Sequence, residues 1–456
     1  MHELDALTVG RNIRTGEVTS VEVTGVLINR IESLSHLKAF VTVTADTALA
    51  QAAKADEEIS RGEIRSPLHG VPIAFKDLLA TAGVPTSNGM TIYADDVPDH
   101  DATVVRRLLD AGTVMLGKLK LTEGAFSRHH PDVEPPVNPW DETLWTGVSS
   151  SGSGVATAAG LCYGSLGSDT GGSIRFPSAA NGIVGLKPTW GRVSRFGAFP
   201  LAYSLDHIGP MTRSVADAAA MLQIMAGFDD SDTTSSRLPV PDYLAEQPSD
   251  LAGVRIGVDE RYIEEGTDKE HIHAVRQAIE ILQELGSEIV PVSVSGGSVC
   301  ESWAITTGVE AAHAHRETYP ERKAEYGAIA GLIDIGLSVD AGTYMQAEMA
   351  RRAFCAELAG TFEACDLLIC PSMPRYRLAK EGSEEMDGAE RDLAATLKFT
   401  APFDYSGSPT LSIPWSAGDG VPASVQLIGG QFEEKRLIGA GLLVERARGG
   451  LRAPSV

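Results

Sequence analysis

The sequence predicts an α/β fold, and three observations carry the prediction. Val71–Phe75 is a short apolar run bounded by Gly and Pro, which reads as a buried strand. Thr103–Ala111 then reads as a helix broken at Gly112, and Thr113–Leu116 as a second strand. The order strand, helix, strand returns at Val254–Val258, His271–Leu285 and Glu288–Val294. The third observation is composition. With 456 residues, 43% hydrophobic and 22% charged, the chain suffices for two domains or for one large α/β unit.

The elements follow in order. The first 65 residues read as helical scaffold: Thr19 with Glu22 forms a capping-box pattern, Val23, Val26, Leu27 and Ile31 recur at helical spacing, and Asp46–Arg61 is Ala-rich and charged. Arg128–Trp140 holds four prolines and cannot be a regular element. Ser153–Leu161 reads as a close-packed helix of small residues, and a further helix starts at Ser214. Asp229–Pro241 reads as a surface loop, Val299–Phe362 as helical, Asp366–Cys370 as a buried strand and Arg377–Asp392 as a charged, mobile loop. ASVQLIGG belongs to closing strands and Glu433–Ala447 to a last helix. His271/His273 and His313/His315 stand two apart on helices and so point apart, which favours solvated helix faces over a metal site.

A net charge of −23 argues against direct binding to nucleic acid or to an anionic membrane. The five cysteines, Cys162, Cys300, Cys355, Cys365 and Cys370, form no CxxC pair and read as free thiols in a reducing compartment. No export signal or run of eighteen apolar residues is seen, so a cytoplasmic location is expected, with a homo-oligomer left open.

Chemistry concentrates in Gly147–Gly185. Its ten glycines and eight serines cluster at Gly147–Gly154 and Gly164–Ser173 instead of scattering as in a flexible linker. Thr170-Gly171-Gly172-Ser173 can form an anion-binding nest that ends in a hydroxyl, the arrangement of an oxyanion hole beside its own nucleophile. Tight packing and phosphate binding are the competing uses of such a loop, although it lacks the G-K-[ST] ending of a P-loop. No His lies inside the stretch. Lys76, ending the apolar run upstream, can serve as a base if burial lowers its pKa; the alternative is an ordinary lysine paired with Asp77.

Taken together, GVPIAFKD, GVSSSGSG, GSDTGGSIRFPS and GLKPTWGRVSRFG resemble the amidase signature family in order and spacing. The resemblance implies one amidase signature domain over residues 1–456, built on a large mixed β-sheet flanked by α-helices. Its signature core spans 69–197, with residues 1–65 as scaffold and a variable substrate-pocket region at 299–400. It further implies a Ser–cis-Ser–Lys triad: Ser173 as nucleophile, Ser149 as bridging serine after a cis Val148–Ser149 bond, and Lys76 as base. Many members have glycine where Val148 stands. Backbone N–H groups of Thr170, Gly171, Gly172 and Ser173 would hold the oxyanion. Asp169, Arg175 and Lys187 read as structural, and Ser150, Ser151 and Ser153 as loop-bonding groups. Phe126, His129, His130 and Trp140 are candidates for the substrate pocket, with an exposed loop pair as the alternative for His129-His130.

The implied activity is hydrolysis of small-molecule amides, anilides or carbamates through an acyl-enzyme, without cofactor or metal. The alternative is the glutamine-hydrolysing subunit of a tRNA-dependent amidotransferase.

Overall fold

The structure is a computed structural model that describes residues 1–456 apart from 246, 247, 385, 388–391 and 419, and apart from the side chains of 297 and 298. The described residues contain eleven strands: β1 (Phe40–Val43), β2 (Pro72–Lys76), β3 (Val114–Leu119), β4 (Gly164–Asp169), β5 (Val184–Lys187), β6 (His207–Thr212), β7 (Arg255–Val258), β8 (Glu288–Pro291), β9 (Leu367–Pro371), β10 (Thr410–Ser416) and β11 (Pro422–Gly429). All join one mixed sheet in the order β1-β3-β2-β4-β6-β5-β10-β11-β9-β7-β8. The pairs β2/β3, β2/β4, β7/β8 and β7/β9 run parallel, and the others antiparallel. Helices cover the sheet, among them Ser151–Ala158 against β4, Val215–Met225 against β6, Lys269–Glu284 against β9 and β11, and Glu434–Arg448 against β10 and β11. One apolar core cluster runs through nearly the whole chain, from Ala6 to Val444.

The parallel pair β2/β4 matters most for function. Ala74 pairs with Ser165 and Phe75 with Leu166, so the C-terminal ends of both strands emerge on the same edge of the sheet. That edge is where open α/β sheets place their ligand crevice.

Four strands escape the sequence reading: β1, β4, β5, which overlaps the motif GLKPTWGRVSRFG, and β6, which lies just before the helix read from Ser214. β1 lies within the stretch read as helical; it is a four-residue edge strand, too short for its alternation to register. β4 lies within the Gly/Ser cluster. It is buried along its whole length, yet its sequence GSLGSD carries one large apolar residue. The reason is crowding: a Cβ on Gly167 would stand 2.7 Å from Met211 Sδ and 2.9 Å from Ser150 Oγ.

The capping box at Thr19 forms as read, with Thr19 N–H donating to Glu22 Oε2 (2.8 Å) and Glu22 N–H to Thr19 Oγ1 (3.1 Å). The helical reading of Val299–Phe362 holds as Cys300–Ala314, Ile329–Ser338 and Ala341–Ala364. The loop expected at Arg377–Asp392 falls partly outside the described residues. The solvated reading of the histidine pairs fails for one member of each, since His271 and His315 are buried. Among the described residues no helix is long and apolar enough to cross a membrane.

Candidate active site

Lys76 is the last residue of β2, whose residues PIAFK are all buried. Its Nζ donates to three hydroxyls: Ser149 Oγ at 2.7 Å, Ser150 Oγ at 2.8 Å and Ser168 Oγ at 2.8 Å. Ser149 follows a cis peptide bond from Val148, Ser150 precedes the helix Ser151–Ala158, and Ser168 lies on the neighbouring β4.

The expected alternative, a Lys76–Asp77 pair, does not form. Successive side chains along an extended chain point to opposite faces, so Asp77 turns to Lys118 on β3 (3.3 Å) and accepts from Ser87 N–H and Oγ (2.9 and 2.5 Å). No carboxylate makes an ion pair with Lys76 among the described residues. Burial therefore lowers its pKa to about 7, against the weaker upward pull of Asp169 and Asp206.

β4 ends at Asp169 and the chain turns through Thr170–Ser173 into the helix Arg175–Asn181. The Asp169 carboxylate accepts from Gly172 N–H (2.6 Å), Ile174 N–H (3.0 Å), Arg175 Nε (3.0 Å) and Arg175 Nη2 (2.8 Å). Arg175 also donates to Asp404 Oδ2 (2.5 Å) and Thr400 O (2.9 Å). Burial alone would raise the Asp169 pKa, but the Arg175 guanidinium holds it far below the usual carboxylate range. Asp169 and Arg175 thus fix the turn from beneath.

One expectation is corrected here. Gly172 N–H, counted among four oxyanion donors, is taken by Asp169 because that carboxylate sits under the turn. The N–H groups of Thr170, Gly171 and Ser173 have no hydrogen-bond partner among the described residues, and the half-buried Ser173 hydroxyl also has none.

Thr170, Gly171 and Ser173 open on a cleft of about 600 Å³, mouth included. Its walls are apolar and largely aromatic, with Phe126, Trp145, Phe176, Trp303, Met386 and Leu397 prominent, and among the described residues that line it none is charged. Phe126 lines this cleft; the other three pocket candidates do not. His129 bridges Glu381 Oε1 (2.8 Å) and Ser151 Oγ (2.9 Å), His130 Nε2 meets Glu325 O (3.1 Å), and Trp140 Nε1 donates to Asn181 O (2.9 Å). Each ring is instead bonded to another segment of the chain.

The sequence reading missed Ser168 as a partner of Lys76, and Trp145, Phe176 and Trp303 as pocket walls. Phe176 lies inside a quoted motif and Trp145 two residues before another, so proximity could have found both. Trp303 carries no local signal. Among the described residues no group of three His, Cys, Asp or Glu side chains could hold a metal ion.

Residues 22–438 match the Amidase family. AmiD of Mycobacterium tuberculosis (strain ATCC 25618 / H37Rv), a protein named for amidase activity, is 44% identical over 457 residues, covering 98% of this chain and 94% of that protein. A component of the glutamyl-tRNA(Gln) amidotransferase of Moorella thermoacetica is 37% identical over 487 residues, covering 98% and 96%. The solved peptide amidase of Stenotrophomonas maltophilia superposes with a TM-score of 0.84 at 29% identity, covering 99% and 98%. Extent of match, fold and crevice agree: the chain belongs to the amidase signature family and is a hydrolase of C–N amide bonds.

Proposed function

We propose that the chain hydrolyses neutral amides, anilides or carbamates bearing a bulky apolar group, through an acyl-enzyme on Ser173. The observation that carries this reading is a fully buried lysine, without a carboxylate partner among the described residues, bonded to Ser149 beside an apolar cleft that contains Ser173.

In the mechanism, neutral Lys76 takes a proton from Ser149 as Ser149 takes one from Ser173. The freed Ser173 oxygen attacks the carbonyl carbon. Charge on the carbonyl oxygen is met by the N–H groups of Thr170, Gly171 and Ser173. The leaving amine recovers the proton through Ser149, and water then resolves the acyl-enzyme. When Lys76 is protonated, its three N–H donors face the three hydroxyl acceptors around it. The Ser149 hydroxyl must rotate towards Ser173 when substrate binds, as catalytic hydrogen bonds commonly tighten only in the complex.

The relatives that belong to an amidotransferase raise a second reading, glutamine hydrolysis. The cleft lining speaks against it. An amino acid's ammonium and carboxylate need charged or strongly polar partners when buried, and the described lining has no charged side chain. The test is hydrolysis by the purified chain of an aliphatic amide, an aryl anilide, a carbamate and glutamine, beside Ser173→Ala. Turnover of anilide or carbamate by wild type only is expected. Turnover of glutamine alone, or activity that survives Ser173→Ala, would contradict the reading.

A further inference from the structure

We propose that Trp303 is a positioning residue for the oxyanion hole, aiming the Gly171 N–H into the cleft; this rests on the Ser173 acyl-enzyme reading above.

Trp303 belongs to the helix Cys300–Ala314, outside every motif that carries the family resemblance. Its indole Nε1–H donates to Thr170 O at 2.8 Å. That carbonyl and the Gly171 N–H are two ends of one trans peptide group, in which C=O and N–H point in opposite directions. Holding the oxygen on the helix side turns the N–H to the other side, where Gly171 lines the cleft beside Ser173. The ring lies so close to this peptide that a Cβ on Gly171 would stand 2.4 Å from Trp303 Cζ2. The residue that supplies this carbonyl is anchored as well, since Thr170 Oγ1 donates to Asp206 Oδ1 at 2.6 Å.

The helix that carries Trp303 is itself braced along one face. Trp303, Thr306 and Glu310 stand at i, i+3 and i+7, the spacing of one helical stripe. Thr306 Oγ1 bonds to the Tyr405 hydroxyl (2.7 Å), next to the Asp404 that holds Arg175. Glu310 accepts from Ser204 N–H (2.8 Å) and Oγ (2.7 Å). One helix face thus reaches the oxyanion turn, the Arg175 network and the segment leading to Asp206. A backbone donor is only as useful as its aim, and this aim is set by a side chain from the region that also walls the pocket.

The test is Trp303→Phe, which keeps an aromatic wall and removes the donor. With an anilide that wild type turns over, kcat is expected to fall about tenfold or more while KM stays within about twofold. The affinity of a matched trifluoromethyl ketone, whose adduct carries the oxyanion, should weaken by the same factor as kcat/KM. A kcat within about threefold of wild type, or a rise in KM alone, would overturn the proposal. If Trp303→Phe fails to fold, benzothienylalanine at position 303 keeps the ring shape without the N–H, and the same outcomes decide. Failure of the acyl-enzyme reading is separately visible, as wild-type turnover that survives Ser173→Ala. Turnover lost in Ser173→Ala but unchanged in Trp303→Phe removes only the role of Trp303.

Discussion

Two lysines end two strands of the same sheet, and their surroundings differ in one respect. Lys76 closes β2 and Lys187 closes β5; both are fully buried, neither makes an ion pair among the described residues, and burial lowers both to about 7. Lys76 is surrounded by three serine hydroxyls. Lys187 donates to two backbone carbonyls, Ser408 O (2.6 Å) and Pro188 O (3.2 Å). A hydroxyl both donates and accepts, so it can pass a proton on; a carbonyl only accepts. A lowered pKa therefore does not mark a catalytic base by itself. What sets Lys76 apart for the proposed role is a hydroxyl neighbour able to relay a proton, Ser149, next to Val148, which lines the cleft.

The largest loss is expected at Lys76. Lys76→Met should lower kcat by about 10²–10⁴-fold, the range for loss of a general base, with the fold retained by circular dichroism. A near-wild-type rate would end its role. Ser149→Ala should follow with a loss of about 10²-fold or more, because the relay loses its middle member. Mild impairment there would mean that Lys76 acts on Ser173 directly. Lys187→Met should leave kcat within about fivefold of wild type and lower Tm, since each buried carbonyl left unpaired costs about 1–3 kcal/mol. A collapse of kcat without a loss of stability would show that Lys187 also acts in catalysis.

Much of this site was legible because its chemistry is local in sequence. Lys76 ends an apolar run and Ser173 ends a Gly-rich nest, whereas Ser149 was singled out only by the resemblance of GVSSSGSG to the family motif. The Asp169–Arg175 network could be read as structural because the two residues flank the turn they hold. What was not legible came from distant segments or from residues with ordinary side chains. Ser168 meets Lys76 because β2 and β4 are neighbours, a pairing that no local pattern reveals. Trp303 reaches Thr170 across 133 positions of sequence. His129 and His130, read either as pocket lining or as an exposed loop pair, are neither: both rings tie a proline-rich loop to its surroundings. The alternation of strand and helix identified the fold class, and it missed β4 because a strand made of glycine and serine has no hydrophobic period.

The most direct measurement is the rate of Ser173 acylation by a neutral fluorophosphonate as a function of pH, with the adduct located by mass spectrometry, in wild type, Lys76→Met and Lys187→Met. Burial holds Lys76 at about 7, so the neutral, proton-accepting form grows as pH rises through that value. Expected are an adduct on Ser173, a wild-type rate that climbs through about pH 7 and levels above it, a rate about 10²–10⁴-fold lower in Lys76→Met, and an unchanged profile in Lys187→Met. An adduct elsewhere, or a Lys76→Met enzyme that acylates with the wild-type rate and profile, would contradict the proposed mechanism.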